Sequence, residues 1–332
     1  MKRRHLFALS ALVAATFALG APTQALAQKT ILKFGWTTAD SPTDPYTVGA
    51  KAFKKAVEAN SKGSIEVQLY PNRQLGEEKQ VMEAVRFGTV DMTIMTNAVI
   101  AQIEPGYQVN DLPFLYSNEE QARKALDGKL GTELSDRLAK KNMLVLGYME
   151  GGFRQMINNK KPVSVPADVT GVKYRVMQNP MYIDMFTSLG GAAVPMAWGE
   201  VFTAVQQGTI DGLEIPVAVI DSSKMYEVTK FLSMTNHTYS AIALLISKRT
   251  MDKLTPEQKT AVIEAGKTAT AEQRAAALVN EKALLTGLAQ KGMIINKVGD
   301  VALFRKSVQP IYDKSRAAVG DALINQALDA VK

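Results

Sequence analysis

Short apolar runs alternate with longer amphipathic stretches through the first third of the chain. The runs Ile31–Trp36, Ile65–Tyr70 and Val90–Thr96 have the length and composition of buried strands. Between them, residues 46–60 and 77–87 carry apolar side chains at helical spacing, and glycine or proline marks the turns. This alternation predicts a βαβαβ unit, in which helices cover the faces of a sheet.

The same alternation returns in the middle of the chain. A long helical segment is predicted at 119–140 and a strand at 143–149, and the glycine pair Gly151–Gly152 that follows predicts a crossover to a second unit. That unit is predicted to contain strands at 172–177, 192–196 and 210–215 and helices at 181–189 and 198–207.

The last third of the chain predicts a return to the first unit. Residues 241–246 have the pattern of a buried strand that rejoins the first sheet, whereas 255–290 and 301–331 have helical periodicity. Two α/β units connected more than once indicate two lobes around a cleft. In such folds ligands bind outside the carboxyl ends of the strands, so the cleft is the predicted binding site.

The N-terminus has a pattern of its own. Three basic residues at positions 2–4 precede the apolar run Leu6–Leu19, and Ala25 and Ala27 place small residues where signal peptidase cuts. We therefore predict a cleavable signal peptide at residues 1–27 and a soluble protein exported to the periplasm. A single membrane-spanning helix is the alternative, but the run is too short and no charged cluster follows it.

Composition narrows the class of protein. The chain has 332 residues, of which 46% are hydrophobic and 21% charged, as is typical of a globular protein of about two domains. Its net charge is +7, and removal of the signal peptide takes away three positive charges. The remaining Lys and Arg residues are interspersed with Asp and Glu, so no binding of nucleic acid is predicted.

Residue types that are common in metal sites and in nucleophilic catalysis are scarce. The sequence has no cysteine, so we expect no disulfide, reactive thiolate, cysteine-ligated metal or lipid-modified cysteine. His237 is the only histidine after the signal peptide, and no nucleotide-binding, hydrolase or zinc-protease motif occurs. We expect no cofactor, no metal and no enzymatic activity, although chemistry by a pair of carboxylates stays open.

Five short motifs are spread along the chain after the signal peptide. They are Pro71-Asn72-Arg73-Gln74-Leu75-Gly76, Gly88-Thr89-Val90-Asp91-Met92, Asp111-Leu112-Pro113-Phe114-Leu115, Gly171-Val172-Lys173-Tyr174-Arg175-Val176 and Gly208-Thr209-Ile210-Asp211-Gly212-Leu213-Glu214. Each motif is weak alone, but their order and spacing are specific. In this combination the sequence resembles the DctP-type extracytoplasmic solute-binding proteins of TRAP (tripartite ATP-independent periplasmic) transporters.

The resemblance implies an α/β fold with the two lobes of a periplasmic binding protein, a central cleft, crossover strands and a long helix that spans both lobes. On this basis we expect lobe I at 28–152 plus 241–280 and lobe II at 153–240 plus 281–308. Residues 309–332 are expected to form a C-terminal helical segment packed across the lobes. The implied partners are a small organic carboxylate and the membrane subunits of a TRAP permease, and we expect the receptor to be a monomer.

The resemblance also implies that an arginine captures the acid. Arg175, at the end of a predicted strand, matches the position of that arginine. A guanidinium is always charged and gives a carboxylate two parallel hydrogen bonds. Arg154 resembles a second family arginine, which holds the acid or supports its partner. Pairing with a structural Asp or Glu is the alternative for Arg175, and a structural role outside the cleft is the alternative for Arg154.

Two further positions concern the body of the ligand. Trp198 lies where the family often places an aromatic ring against the ligand, and a core position at the start of a helix is the alternative. Ile215 departs from the family, in which many members read Glu-Asn-Pro where this chain reads Glu214-Ile215-Pro216. Isoleucine neither donates nor accepts a hydrogen bond, so we expect this wall of the pocket to be less polar.

Four polar residues complete the predicted set. Asn179 is expected either to cap the following helix or to reach a ligand hydroxyl. Thr37 and Asn97 follow predicted strands, where turn formation is the alternative to ligand contact. Glu77 lies at a helix start, which favours negative charge, in a region that approaches the cleft in the family.

The predicted function is that of a periplasmic receptor that binds an organic acid between its lobes and delivers it to a TRAP permease. C4-dicarboxylates or related small acids are favoured as ligands. A receptor for sugar acids, such as uronates or aldonates, and a ligand-sensing receptor for a signalling partner are the alternatives. For Asn236 and His237, on the predicted crossover, we expect a structural role, and contact with the ligand or adjustment of the hinge is the alternative.

Overall fold

The structure is a computed structural model that describes residues 29–332, apart from the side chains at positions 279 and 280. The predicted signal peptide, residues 1–27, lies outside these residues. The strands are β1 (Thr30–Gly35), β2 (Ile65–Tyr70), β3 (Met92–Thr96), β4 (Met143–Asn158), β5 (Lys173–Val176), β6 (Ala192–Pro195), β7 (Gly212–Pro216), β8 (Phe231–Ser247) and β9 (Ile294–Lys297). They form one mixed sheet in the order β2-β1-β3-β8-β4-β7-β5-β6, and β9 pairs with β8.

Helices cover both faces of this sheet. In chain order the α-helices are α1 (Pro45–Asn60), α2 (Glu78–Phe87), α3 (Asn97–Ile100), α4 (Glu119–Asp127), α5 (Lys129–Ala139), α6 (Pro180–Ser188), α7 (Trp198–Gln206), α8 (Val217–Ser222), α9 (Lys248–Lys253), α10 (Pro256–Gln290), α11 (Val301–Val319) and α12 (Asp321–Ala330). Short 3₁₀ helices span Pro105–Asp111, Pro166–Val169 and Met225–Glu227.

Two long antiparallel strands join the two halves of the sheet. β4 has 16 residues and β8 has 17, and the two strands pair along most of their length. Residues 242–246 of β8 pair with β3 at one end, whereas residues 154–158 of β4 pair with β7 at the other. Both strands therefore cross from one lobe to the other, and the predicted two-lobed α/β fold is confirmed.

Hydrophobic packing differs between the two faces of the sheet. On one face each lobe has its own core, with Phe53 of α1 in lobe I and Val201 of α7 in lobe II. The long helix α10 reaches both, because its Val262 packs into the first core and its Leu288 into the second. On the other face a single core runs through both lobes and includes Phe304 of α11. The lobes are thus joined by apolar packing more extensively on one face than on the other.

Three helices begin with a polar capping residue followed by proline. Asp44-Pro45 starts α1, Asn179-Pro180 starts α6 and Thr255-Pro256 starts α10. Each capping side chain accepts hydrogen bonds from backbone N–H groups of the first turn, and proline at the first helical position has no N–H to leave unbonded. α10 continues for 35 residues, roughly 50 Å at 1.5 Å per residue, which explains how it spans both lobes.

A buried polar junction joins the lobes within the continuous core. Asp111, at the end of the 3₁₀ helix of lobe I, accepts hydrogen bonds from Asn97 Nδ2 (2.7 Å), Asn179 Nδ2 (3.0 Å) and Tyr182 Oη (3.2 Å). Asn97 belongs to lobe I, but Asn179 and Tyr182 belong to α6 of lobe II. Asn179 Nδ2 also donates to the backbone oxygen of Ala98 at 3.1 Å. The carboxylate of Asp111 therefore links the two lobes.

Two glycine-rich segments differ from the prediction. The single helical segment expected at 119–140 is two helices, α4 and α5, with Gly128 in an extended conformation between them. The chain folds back so tightly there that a side chain at Gly131 would lie 1.7 Å from the backbone oxygen of Leu126. The chain does cross to the second unit at Gly151–Gly152, but the strand predicted to end at 149 continues through both glycines to Asn158, with an irregular register and a φ of +98° at Gly152.

The strand predicted at 241–246 is longer than its hydrophobic pattern indicates. β8 begins at Phe231, and its added residues include Ser233, Thr235 and His237, which are polar and buried. Side-chain hydrogen bonds satisfy these residues, so an apolar pattern is not needed for burial. The helical segment expected at 301–331 is divided by Gly320, which has a φ of +94°.

The C-terminal helices pack on the continuous core. α11 contacts α6 and the 3₁₀ helix at 105–111, and α12 contacts α4 and α5. The predicted lobe boundaries at 280/281 and 308/309 lie inside α10 and α11, so they divide continuous helices. The assignment of residues to lobes stays a prediction. In the part of the chain that the structure describes, no helix combines the length and the apolar character needed to cross a membrane.

The junction around Asp111 predicts a pH dependence of stability. Burial raises the pKa of this carboxyl to about 7, although hydrogen bonds from Asn97 and Tyr182 act to lower it. The folded state therefore holds the proton more tightly than the unfolded state. This group therefore adds most to the free energy of unfolding below about pH 4, where it is protonated in both states. The added stability is lost as the pH rises through about 7.

In Asp111→Asn, the decrease in unfolding free energy between about pH 5 and about pH 8 should be smaller than in the unsubstituted protein. Urea unfolding at the two pH values measures it. Part of the decrease should remain, because burial also raises the pKa of Asp44, to about 6. An undiminished decrease in the variant would show that Asp111 does not titrate in this range.

Candidate functional site

A cavity lies between the lobes at the carboxyl ends of their parallel strands. The segment after β1, the end of β3 and the starts of α1 and α2 form its wall in lobe I, and the ends of β5 and β7 with the start of α7 form its wall in lobe II. It contains about 420 Å³ of space not occupied by atoms, part of it open to solvent. Its lining residues are Thr38, Tyr46, Glu78, Thr96, Gly151, Arg154, Arg175, Met177, Trp198, Ile215, Pro216, Val219 and Ser240.

Arg175 is a buried cation at the end of β5, with 2% of its surface exposed. Its Nε and Nη2 donate to the backbone oxygen of Met196 at 3.0 and 2.8 Å, and its Cζ lies 5.8 Å from the ring centroid of Trp198. No carboxylate in residues 29–332 forms an ion pair with it. Burial lowers the pKa of the guanidinium. Arg175 is therefore oriented by the protein but not neutralised by it, which suits the binding of an anion.

Arg154, on β4, faces the same cavity but has a carboxylate partner. Its Nε and Nη2 donate to the two carboxylate oxygens of Glu214, the latter at 2.8 Å. Its Nη2 also donates to the backbone oxygen of Glu214 at 2.6 Å, and its Cζ lies 5.4 Å from the ring centroid of Tyr182. This arginine thus forms a bidentate ion pair within its own lobe.

His237, in β8, completes the cluster around Glu214. Its Nε2 lies 3.2 Å from Glu214 Oε2, and its Nδ1 lies 2.7 Å from Thr235 Oγ1. Burial lowers the pKa of His237 and keeps the imidazole neutral. Because a carboxylate only accepts hydrogen bonds, Nε2 carries the hydrogen and Nδ1 accepts from Thr235. The structural role expected for His237 fits these contacts.

The charges of Arg154 and Glu214 stabilise each other. Burial acts to raise the pKa of Glu214, but the charge of Arg154 and hydrogen bonds from His237 and Arg154 hold it below its usual range. Burial acts to lower the pKa of Arg154, but Glu214 raises it above its usual value. The cluster therefore contains one cation, one anion and a neutral ring, and it leaves Arg175 as the cation of the cavity without an ion pair among the described residues.

The remaining wall of the cavity is partly polar and partly apolar. Glu78, in the first turn of α2, faces the cavity, and burial raises the pKa of its carboxyl against the lowering effect of Arg175. Hydroxyl groups come from Thr38, Tyr46, Thr96 and Ser240. Apolar surface comes from Met177, Trp198, Ile215, Pro216 and Val219. The polar groups suit hydroxyl substituents, and the apolar wall suits a carbon chain.

Four of the eight residues that the sequence predicted for ligand contact line this cavity: Arg175, Arg154, Trp198 and Ile215. The other four do not line it: Asn179, Thr37, Asn97 and Glu77. Asn179 caps α6, and both it and Asn97 donate to Asp111. Glu77 precedes α2, and its Oε2 accepts a hydrogen bond from the backbone N–H of Gly199 in lobe II at 3.3 Å. Their contact with a ligand stays a prediction.

Three lining residues are each one position away from a predicted one: Thr38, Glu78 and Thr96, next to Thr37, Glu77 and Asn97. Successive residues of an extended chain point in opposite directions, so at the ends of β1 and β3 an error of one position selects a side chain that points away from the cavity. Tyr46 and Ser240 line the cavity but carried no sequence signal for it. They reach it through strands and helices that are distant in sequence.

A second cavity lies beneath α10, beside the irregular part of β4. It contains about 520 Å³ of space not occupied by atoms, and its lining is mostly apolar. Its charged lining residues, Glu150 and Glu281, are acidic, and Glu150 forms an ion pair with Arg123. An organic acid would find no cation there, so the cavity at Arg175 is the candidate site. Within residues 29–332, no group of three or more His, Asp or Glu residues is arranged to hold a metal ion.

Comparison with known proteins gives a family match over most of the chain. Residues 36–318 match the family described as bacterial extracellular solute-binding protein, family 7, or DctP. The 2,3-diketo-L-gulonate-binding periplasmic protein YiaO of Escherichia coli strain K12 is 35% identical over 298 residues. The match covers 90% of this chain and 86% of YiaO.

Two solved structures are similar over nearly the whole chain. The sugar acid binding protein DctPAm from Advenella mimigardefordensis, in complex with galactonate, has a TM-score of 0.89 at 33% identity. That match covers 92% of this chain and 98% of DctPAm. A TRAP periplasmic solute binding protein from Polaromonas sp. JS666, bound to D-erythronate, has a TM-score of 0.87 at 36% identity, with 90% and 98% covered. The similarity therefore extends over both lobes.

The contrast between the two arginines predicts that their substitution lowers stability by unequal amounts. Arg154→Met leaves Glu214 buried without its partner and should lower the free energy of unfolding by about 3–5 kcal/mol. Arg175→Met removes a buried charge that has no carboxylate partner, which offsets part of the lost hydrogen bonding to Met196, so its loss should be smaller than that of Arg154→Met. Urea unfolding of the two ligand-free variants measures both values. Equal losses would contradict the assignment of Arg154 alone to a structural ion pair.

Proposed function

The chain belongs to the DctP family of bacterial extracellular solute-binding proteins, family 7, and on that basis we propose that its ligand is a hydroxylated organic acid with a single carboxylate. The protein is a solute receptor of the TRAP type. The free charge of Arg175 is the observation that carries the choice of ligand. One carboxylate neutralises it and fills the hydrogen-bonding capacity that Met196 leaves open.

A second carboxylate on the ligand has no comparable partner. Arg154 is already paired with Glu214, so it offers little charge to a further anion. Glu78 places a carboxyl group in the same cavity, so it offers no positive charge to a second carboxylate. The geometry therefore favours a monocarboxylate over the C4-dicarboxylates that the sequence favoured.

Hydroxyl groups on the ligand match the rest of the polar wall. Glu78 accepts hydrogen bonds, and the threonine and serine hydroxyls at positions 38, 96 and 240 both donate and accept. The names of the similar proteins support this choice, since 2,3-diketo-L-gulonate, galactonate and D-erythronate are all oxygenated acids. Ile215 limits the hydrogen bonds available on one wall, which favours short or partly hydroxylated chains.

Capture of the acid brings the lobes together. A ligand in this cavity contacts both lobes when they are closed, and only such differential contact shifts the equilibrium towards closure. The receptor acts as a monomer in the periplasm after removal of residues 1–27. It hands the acid, chemically unchanged, to the membrane subunits of a TRAP permease.

The role of Arg175 is tested by Arg175→Ala. Loss of a charge-assisted hydrogen bond of about 1.5–3 kcal/mol should raise the Kd roughly ten- to hundredfold. Calorimetric titration with galactonate, D-erythronate and succinate measures the effect and compares the ligand classes. Lys55→Ala, which removes an exposed cation outside the cavity, is the control for net charge and should leave the Kd unchanged. Near-normal affinity in Arg175→Ala would contradict the proposal, and tightest binding of succinate would favour a C4-dicarboxylate receptor.

Ile215→Asn tests the effect of the apolar wall on specificity. An amide at this position adds a donor and an acceptor, so affinity for galactonate should rise relative to D-erythronate, by about two- to tenfold for one neutral hydrogen bond. Ile215→Leu keeps the wall apolar and serves as the control. The ratio of the two Kd values in each variant decides the point, and an unchanged ratio in Ile215→Asn would show that Ile215 does not set the specificity.

A further inference from the structure

Two side-chain hydrogen bonds join the start of α1 in lobe I to the end of α8 in lobe II, outside the ligand cavity. We propose that Thr43, Asp44, Asp221 and Ser222 form a latch that holds the closed state and thereby sets the affinity for the ligand. The inference rests on the proposed function, because it concerns closure around a bound acid. None of the four residues lines the ligand cavity.

The two hydrogen bonds of the latch are reciprocal. Thr43 Oγ1 donates to Asp221 Oδ2 at 3.1 Å, and Ser222 Oγ donates to Asp44 Oδ2 at 3.1 Å. Thr43 and Asp44 precede α1 in lobe I, whereas Asp221 and Ser222 end α8 in lobe II. Each lobe therefore contributes one hydroxyl donor and one carboxylate acceptor. Hydrogen bonds to a carboxylate are stronger than those between neutral groups, and these two are partly buried from water.

Each carboxylate of the latch uses its other oxygen within its own lobe. Asp44 Oδ1 accepts from Thr38 Oγ1 at 2.8 Å and from two backbone N–H groups at the start of α1, each at 3.0 Å. Asp221 Oδ1 accepts from Lys291 Nζ at the end of α10, at 2.5 Å. Both acceptors are thus oriented within their lobes before the lobes meet. Preorganisation of this kind reduces the entropy that is lost on closure.

The latch lies where apolar packing between the lobes is least extensive. α1 and α8 belong to the two separate cores on one face of the sheet, whereas the other face has the core that runs through both lobes. Separation at the latch breaks two hydrogen bonds, whereas separation at the other face would divide a hydrophobic core. The side that carries the latch is therefore the side that opens.

The latch is adjacent to the ligand cavity through two residues. Thr38 lines the cavity and donates to Asp44. Val219 also lines it, and the Oγ of Ser222 lies 3.5 Å from the backbone oxygen of Val219. A ligand that holds Thr38 and α8 in place therefore favours the latched arrangement.

A latch of this kind changes affinity without contact with the ligand. The apparent Kd of a receptor rises as the fraction of molecules in the binding-competent state falls, so bonds made only in the closed state lower the Kd. The lobes must separate before the acid leaves. The latch therefore slows dissociation, whereas the first encounter between the acid and the open receptor does not involve it.

Thr43→Val and Ser222→Ala each remove one donor of the latch. In each variant we expect the Kd to rise roughly tenfold, because a carboxylate oxygen at the lobe interface loses its partner. The dissociation rate should rise by the same factor, with an unchanged association rate. Stopped-flow fluorescence with galactonate, D-erythronate and succinate measures both rates, since Trp198, one of two tryptophans in the chain, lines the cavity.

Ser223→Ala provides a matched control. Its hydroxyl is next to the latch in sequence and is buried, but it has no hydrogen-bond partner among the described residues, so the Kd should not change. An equal effect in this control, or unchanged rates in both latch variants while an acid still binds, would overturn the latch and leave the proposed function standing. Failure of all three acids to bind the unsubstituted protein would contradict the proposed function and the latch together.

Discussion

A guanidinium group buried between two lobes needs a negative partner, and the cleft of this protein contains two such groups. Arg154 takes Glu214 from its own lobe, and the neutral imidazole of His237 completes the hydrogen bonding of that carboxylate. Arg175 has the backbone oxygen of Met196 as its protein partner, which orients the side chain but does not balance its charge. The protein thus keeps one cation for its own stability and leaves the other for an anion from solution, although both line a single cavity.

Two of the polar contacts between the lobes come from residues that cap helices. Asp44 and Asn179 each start a helix next to a proline, and each uses a remaining polar atom across the interface, to Ser222 in one case and to Asp111 in the other. In an α/β unit a helix begins where a strand ends, so capping side chains lie at the same edge of the sheet as the ligand site. The residues that start the helices are therefore also in position to bind the opposite lobe.

Local sequence patterns predicted most strands and helices of this fold. They failed where a side chain is buried by hydrogen bonds or an ion pair to residues far away in the sequence. The strands and helices of both α/β units follow from periodic burial, and a family motif identified Arg175. The first half of β8 escaped prediction because Ser233 and its polar neighbours are buried by hydrogen bonds to remote groups such as Asn296. The pairing of Arg154 with Glu214 has no local signal either, since the two residues are 60 positions apart. At the ends of β1 and β3 the sequence selected Thr37 and Asn97, each next to a residue that lines the cavity. An error of one position at a strand end is enough to select the wrong side chain, because neighbouring side chains point in opposite directions.

The pairing of β3 with β8 governs how this chain reaches its fold. Thr96 lies beside Ile242, so the sheet of the first lobe is incomplete until nearly three quarters of the polypeptide is present. Pairing between such distant segments requires closure of a long loop. The entropy lost on closure is compensated only after the strands have paired, and such topologies fold slowly. An N-terminal fragment of this chain lacks a central strand of its own lobe. The nascent polypeptide therefore cannot complete the sheet of lobe I until residue 246 has been synthesised, however early its first βαβ unit leaves the ribosome.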